Sequence, residues 1–146
     1  MTHRLEVTAD LTRLAQVRQF VAAAAAALGA PPAAVDDLVL AVDEWMSNVI
    51  VHGYAGRAGP IEIEVAPAPG AVTVTVSDLA PPFDPTQLPD PDITLPLELR
   101  PVGGLGAYLM RQLVDVIQHQ TTAAGGNQLT LTKRFTPSSS GPGEAL

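Results

Sequence analysis

Arg4 to Thr8 alternates polar and apolar residues, the period-two pattern that predicts a strand with Leu5 and Val7 turned inward. Asp10 then stands where a helix cap is wanted. From Leu11 to Leu28 the apolar positions Leu11, Leu14, Ala15, Val17, Val21 and Leu28 recur at helical spacing, alanine fills the intervals, and Gly29 provides the stop. Pro31-Pro32 breaks the chain and can open a second helix, because proline is tolerated in a first turn; the pattern carries that helix to about His52 or Gly53. At about 100° per residue, Val35, Val39, Val42, Met46, Val49 and Ile50 share one face, while Asp37, Glu44, Ser47, Asn48 and His52 lie toward the other. One side serves the core, and the other carries acid, amide, hydroxyl and imidazole.

Ile61 to Val65 and Val72 to Val76 both alternate, and the residues from Ala66 to Ala71 read as the turn of an antiparallel hairpin. Between Leu79 and Val102 there are seven prolines and no sustained period. A loop of about 24 residues inside a compact domain is uncommon and implies a lid or an insert. Gly103-Gly104-Leu105-Gly106 leads into a third helix over Ala107 to Gln118, where Leu109, Met110, Leu113, Val114 and Ile117 repeat at helical intervals. Val116 to Thr122 and Gln128 to Phe135 flank Ala124-Gly125-Gly126-Asn127 as a second hairpin. This organisation predicts one domain over residues 1–135, a lid over about 79–103, and a disordered Ser-Gly-Pro tail over 136–146.

Composition narrows the function. Fifteen acidic against eight basic side chains leave a formal charge of −7, which disfavours recognition of a phosphate backbone and so of duplex nucleic acid. The absence of cysteine excludes disulfides, thiol chemistry and Cys-ligated metals, and suits a cytoplasmic protein. No secretory signal is visible near Met1, and the alanine-rich run from Phe20 to Leu28 is far short of the roughly 20 residues of a bilayer span.

Glu44 and Asn48 stand one helical turn apart, so their side chains project together. A carboxylate can orient or deprotonate a nucleophile and an amide oxygen is a hard ligand suited to Mg²⁺, although a solvated helix face would look the same. Asp78 ends the second strand of the first hairpin; there it can accept a hydrogen bond from an exocyclic amine such as that of adenine, or simply cap a turn. Asp84 before Pro85 reads as turn chemistry. Gly103, Gly104 and Gly106 precede a helix whose first N–H groups lack acceptors, an arrangement that suits an anion or a merely flexible helix start. Their spacing matches neither a P-loop nor a Rossmann turn. Trp45 reads as core or interface, His52 as a helix-end histidine that could also reach the site, and His3 and His119 have no partners at metal-ligand spacing.

The order of these features changes their weight. The segment from Glu44 to Tyr54 resembles the E-x-x-x-N box of the GHKL ATPases, in the form typical of bacterial anti-sigma regulatory factors with serine/threonine protein kinase activity. Pro82-Phe83-Asp84-Pro85, and Gly103-Gly104-Leu105-Gly106 with the helix that follows, resemble the same family's next boxes, so the likeness spans about Leu5 to Phe135. It implies an α+β fold, a two-layer sandwich in which a mixed, mostly antiparallel sheet is covered on one face by three helices, with ATP bound between the layers under a lid. Asn48 would coordinate Mg²⁺, Glu44 would act as general base or orienter, and Asp78 would hold the adenine amine. Gly103, Gly104 and Gly106 would let the lid close on the phosphates, with Phe83 and Leu105 inside the same boxes and Arg100 as a phosphate contact. The implied partners are a sigma factor and an anti-anti-sigma antagonist protein, with a homodimer as the assembly. Ala80 departs from the pattern, since the family usually has glycine two residues after this aspartate; the added methyl either crowds the nucleotide or forbids a positive φ. The competing readings are a nucleotide-gated binding module with little or no kinase activity, a catalytic domain detached from a histidine kinase, and an interaction domain that binds no nucleotide.

Overall fold

The computed structural model describes residues 1–88, 94 and 104–136. Five strands, β1 (His3–Thr8), β2 (Pro60–Ala68), β3 (Ala71–Asp78), β4 (Val116–Thr121) and β5 (Asn127–Arg134), form one sheet in the order β1-β2-β3-β5-β4. Three helices, α1 (Leu14–Ala27), α2 (Pro32–Asn48) and α3 (Gly104–Leu113), cover one of its faces. All four strand pairings are antiparallel, where a mixed sheet was expected. β3 and β4 do run in the same direction, but β5 returns between them, so no parallel ladder forms among the described residues.

Alternation decides which face is buried. Ile61, Ile63 and Val65 of β2, Val74 and Val76 of β3, and Leu129 and Leu131 of β5 point into the helical layer and are fully buried. They meet Val17 and Val21 of α1, Leu38, Val42, Trp45 and Met46 of α2, and Met110 of α3 in one continuous core. Each such side chain contributes roughly 1.5–3 kcal/mol by leaving water. The opposite sheet face is polar, with Thr75 and Thr130 sharing a hydrogen bond across β3 and β5. Among the described residues no helix is long and apolar enough to cross a membrane.

The expected elements form, with differences at their ends. Asp10 accepts from the Thr12 N–H at 2.9 Å as expected, but it caps a single 3₁₀ turn over Leu11–Arg13 from which α1 continues. Gly29 ends this stretch with a φ of +98°. The first hairpin is longer than the pattern suggested, because Ala66 to Ala68, Ala71, Ser77 and Asp78 also pair; only Pro69-Gly70 is left as the turn. α2 stops at Asn48 and gives way to a π-helical turn over Val49–Gly53, closed by the Tyr54 N–H donating to Val49 O at 2.7 Å. α3 begins at Gly104, so Gly106 lies inside the first turn rather than before it, and it ends at Leu113 rather than Gln118. The tail beyond residue 136 and most of the expected lid, including Arg100 and Gly103, lie outside the described residues.

Candidate active site

Glu44 and Asn48 leave the last turns of α2 on the same side, both half-buried. The first turn of α3 closes against them. A Cβ built on Gly106 would lie 2.9 Å from Glu44 Oε2 and 3.4 Å from Asn48 Nδ2. Hydrogen in place of a methyl therefore lets the backbone of α3 approach the acid and the amide, and leaves a small cradle between them. Gly104 starts the same helix, and Leu105 follows it in the backbone.

A cavity of about 350 Å³ opens beside Asn48. Its walls are mostly apolar: Trp45 and Val49 from α2 and the π-helical turn, Gly53 at the end of that turn, and Ala80, Pro81 and Phe83 from the irregular segment beyond β3. His52 lies on the rim and is exposed, so the residue regarded as a helix-end histidine does reach the site. The π-helical turn supplies this wall, because its extra residue per turn widens the end of the helix where Val49, His52 and Gly53 face the cavity. Trp45 is buried as expected of a core residue, yet it also lines the cavity and lies nearly parallel to the Phe83 ring, 14° between planes and 6.3 Å between centroids.

Asp78, 3% exposed, is held by two residues of the cavity wall rather than lining it. Its Oδ1 accepts from the Ala80 N–H and from Asn127 Nδ2, each at 2.9 Å, and both of those residues line the cavity. Its Oδ2 is buried and, among the described residues, has no hydrogen-bond partner. Burial pushes this carboxyl above the usual carboxylate range, against the hydrogen bonds from Asn127 and Ala80, which favour the charged form. A buried acceptor with nothing to accept is costly unless a ligand completes it. Asp78 thus does more than cap a turn, whereas Asp84 does what the turn pattern implied: its Oδ1 accepts from the Thr86 N–H at 2.9 Å and the Thr86 hydroxyl at 2.6 Å.

Two residues that the sequence did not mark hold this end in place. Asn127, the first residue of β5, donates through Nδ2 to Asp78 Oδ1, Pro81 O at 3.2 Å and Ala80 O at 3.4 Å, and accepts through Oδ1 from the Phe83 N–H at 2.8 Å. Those partners fix which end of the amide is oxygen. The 2.7 Å contact between Asn127 Oδ1 and His119 Nε2 must therefore be a donation from a protonated Nε2. His119 is itself nearly enclosed, with Nδ1 3.9 Å from Asp84 Oδ2. Tyr54 adds a further brace: its hydroxyl donates to Pro60 O at 2.7 Å and accepts from the Leu79 N–H at 2.8 Å. The turn signal at Gly125-Gly126-Asn127 was visible, but that the asparagine reaches a strand 49 residues away was not.

Of the expected site residues, Asn48, Ala80 and Phe83 line the cavity, Glu44 and Gly106 adjoin it through Asn48, and Asp78 adjoins it through Ala80 and Asn127. Ala80 has no positive φ, so its departure from glycine costs no backbone strain, and the effect of its methyl is one of space. Among the described residues no cluster of three or more His, Asp or Glu side chains could cage a metal ion by itself.

Known proteins resemble this chain in sequence and in fold. The serine/threonine-protein kinase BtrW of Bordetella bronchiseptica is 30% identical over 103 residues, covering 70% of this chain and 72% of that protein. The serine-protein kinase RsbW of Bacillus cereus is 29% identical over 118 residues, covering 78% and 74%. The crystal structure of the RsbU and RsbW domains of Rv1364c from Mycobacterium tuberculosis matches 90% of this chain with a TM-score of 0.62 at 26% identity, and the match covers 32% of that longer chain. The sequence profile of the histidine kinase-like ATPase domain matches residues 7–133, nearly the whole described domain, and the chain belongs to that family.

Proposed function

We propose that this chain binds ATP in the cleft between α2, α3 and the end of β3, and transfers the γ-phosphate to a serine or threonine of an anti-anti-sigma protein, sequestering a sigma factor in alternation. The observation that carries the reading is a cavity walled by Asn48 on one side and by Ala80 and Asn127 on another, the two residues that hold Asp78, whose buried Oδ2 has no partner among the described residues; Glu44 shares the Gly106 cradle with Asn48. Asp78 Oδ2 suits the exocyclic amine of adenine, an N–H donor that would satisfy it, and the apolar walls suit the faces of a purine. The two relatives' names as serine or serine/threonine kinases support the transfer reaction.

The residues present also fit a magnesium ion. With Nδ2 of Asn48 toward Gly106, the amide oxygen is the atom left for a hard cation, and a site with a single protein oxygen is ordinary for an ion that takes its other ligands from phosphates and water. When bound, the cation would neutralise charge on the phosphates. Glu44, at the same cradle, would orient the incoming hydroxyl or take its proton, and the start of α3, where N–H groups lack intrahelical acceptors, would meet the phosphates. Positioning and charge compensation carry most of such a transfer, because the transition state is loose. Arg100 and Gly103 would complete this end as a phosphate contact and part of the lid, and the protein would work in the cytoplasm as a homodimer.

The test is transfer of labelled γ-phosphate from ATP to a purified anti-anti-sigma protein by the wild type and Glu44→Ala. Transfer by the wild type and its loss in the variant, with ATP binding retained, is expected. Equal transfer by both removes Glu44 from the mechanism; ATP binding without transfer by either makes the chain a nucleotide-gated binding module.

A further inference from the structure

We propose that Gly53 and Ala80 are a matched pair that sets the width of the cavity at its base-binding end, with one methyl shared between two positions that cannot both carry one. The proposal rests on the nucleotide reading above and adds to it the residues that shape the base pocket.

Gly53 closes the π-helical turn and Ala80 stands two residues beyond β3; both line the cavity. A Cβ on Gly53 would sit 2.9 Å from the Ala80 Cβ, well inside the roughly 3.5–4.0 Å at which two carbons rest. The next nearest atoms, Asn48 O and Val49 Cγ1, would be at an ordinary 3.9 and 4.0 Å. Nothing else demands glycine there. Gly53 is not among the residues with positive φ, so its backbone would accept any L-residue, and the requirement comes from the Ala80 methyl alone.

Ala80 cannot easily give way. It is 1% exposed, its side chain has no rotamer to change, its N–H donates to Asp78 Oδ1 at 2.9 Å, and its carbonyl accepts from Asn127 Nδ2 at 3.4 Å. Pushing on Ala80 therefore moves a donor that aims Asp78, and the cost falls on reading the base amine as well as on packing. A methyl at position 80 with glycine at 53 keeps that aim. Exchanging the two, with alanine at 53 and glycine at 80, leaves the same number of methyls in the same gap and should keep it too. Gly53 is thus a shaping residue that acts through Ala80 and Asp78.

The experiment is a double-mutant cycle on the full chain, Gly53→Ala, Ala80→Gly and both together, reading the Kd for ATP and for GTP by calorimetry and Tm without nucleotide. Gly53→Ala should weaken ATP binding by about ten-fold or more, narrow the preference for ATP over GTP, and lower Tm. Ala80→Gly should weaken ATP binding less than Gly53→Ala does, and the double variant should bind ATP several-fold more tightly than Gly53→Ala and regain part of its lost Tm. GTP carries a carbonyl where ATP carries the amine, so the change in preference reads the aim of Asp78, which a purely structural role would not move. Wild-type affinity and preference in Gly53→Ala, or a double variant no better than Gly53→Ala, overturns the pairing. A wild type that binds no ATP overturns the nucleotide reading instead, and the Tm cycle then tells the packing apart from it.

Discussion

The two ends of the cleft are built on opposite principles. The end around Asp78 is closed: Asp78, Asn127 and Ala80 are almost fully buried and joined by short hydrogen bonds to each other, to His119 and to the backbone at Phe83. The end around Glu44 and Asn48 is half-open, and it meets a helix start whose glycine leaves a gap rather than a contact. A rigid, low-dielectric pocket with one unpaired acceptor selects among bases. An open end of oxygen and free N–H groups can take a charged, hydrated group and let it react. On the proposed reading recognition and chemistry are separated along the cleft, and Asn48, which lines the cavity and borders the Gly106 cradle, is where they would meet.

The sharpest way to break that separation is Glu44→Ala. Loss of a base or orienter should lower phosphate transfer by about 10²- to 10⁴-fold and leave the ATP Kd within about three-fold, read by initial rates beside calorimetry. Equal losses in both would mean that the two ends are not independent. Next in size, Asp78→Asn should weaken ATP binding by roughly 10- to 100-fold, because the acceptor that meets the amine becomes a donor.

The same variant carries a pH signature. Burial holds the Asp78 carboxyl above its ordinary 3.8, so between that value and the raised one the folded chain binds more protons than the unfolded. This contribution is fully present below 3.8 and is lost as pH rises through the raised value. The Tm of Asp78→Asn should accordingly gain on that of the wild type as pH is raised from about 3.5 to 7. A difference in Tm independent of pH would contradict the strained buried carboxylate.

Smaller effects sharpen the account of the closed end. Asn127→Ala leaves Asp78 Oδ1 and the Phe83 N–H each short of a partner, and should cost about 2–3 kcal/mol of stability with a roughly ten-fold weaker ATP Kd. Tyr54→Phe removes a bridge between Pro60 O and the Leu79 N–H at some distance from the base. It should cost about 1–2 kcal/mol in chemical unfolding and change the ATP Kd less than about three-fold. A Tyr54→Phe that damages binding as much as Asn127→Ala would spread recognition beyond the pocket.

The open end was the more legible in sequence. Glu44 and Asn48 are close in the chain, and helical spacing alone brings them together; the glycines before the third helix form a local signal as well. At the closed end Asp78, Ala80 and Phe83 could be named, but not the residues that hold them. Asn127 and His119 act through the pairing of β3, β5 and β4, in which Asp78 faces Asn127 and His119 faces Leu129, and no local pattern announces that register. The overlong reading of α3 has a comparable cause. Leu109 to Ile117 keeps its helical period, but the Asp115 N–H donates to Thr132 O, Asp115 Oδ2 accepts from the Arg134 N–H, and Lys133 Nζ donates to Leu113 O. Contacts with β5, rather than a stop residue, end the helix. The π-helical turn is likewise unannounced, since Val49 to Gly53 carries no break in its letters.

Calorimetric titration of ATP with Mg²⁺ into the wild type and Asp78→Asn, each also titrated with GTP, tests the central claim most directly. Saturable binding of one ATP per chain by the wild type, a clear preference over GTP, and loss of both in Asp78→Asn is the expected result. No ATP binding by the wild type, or an Asp78→Asn variant that binds ATP as tightly, would contradict the account.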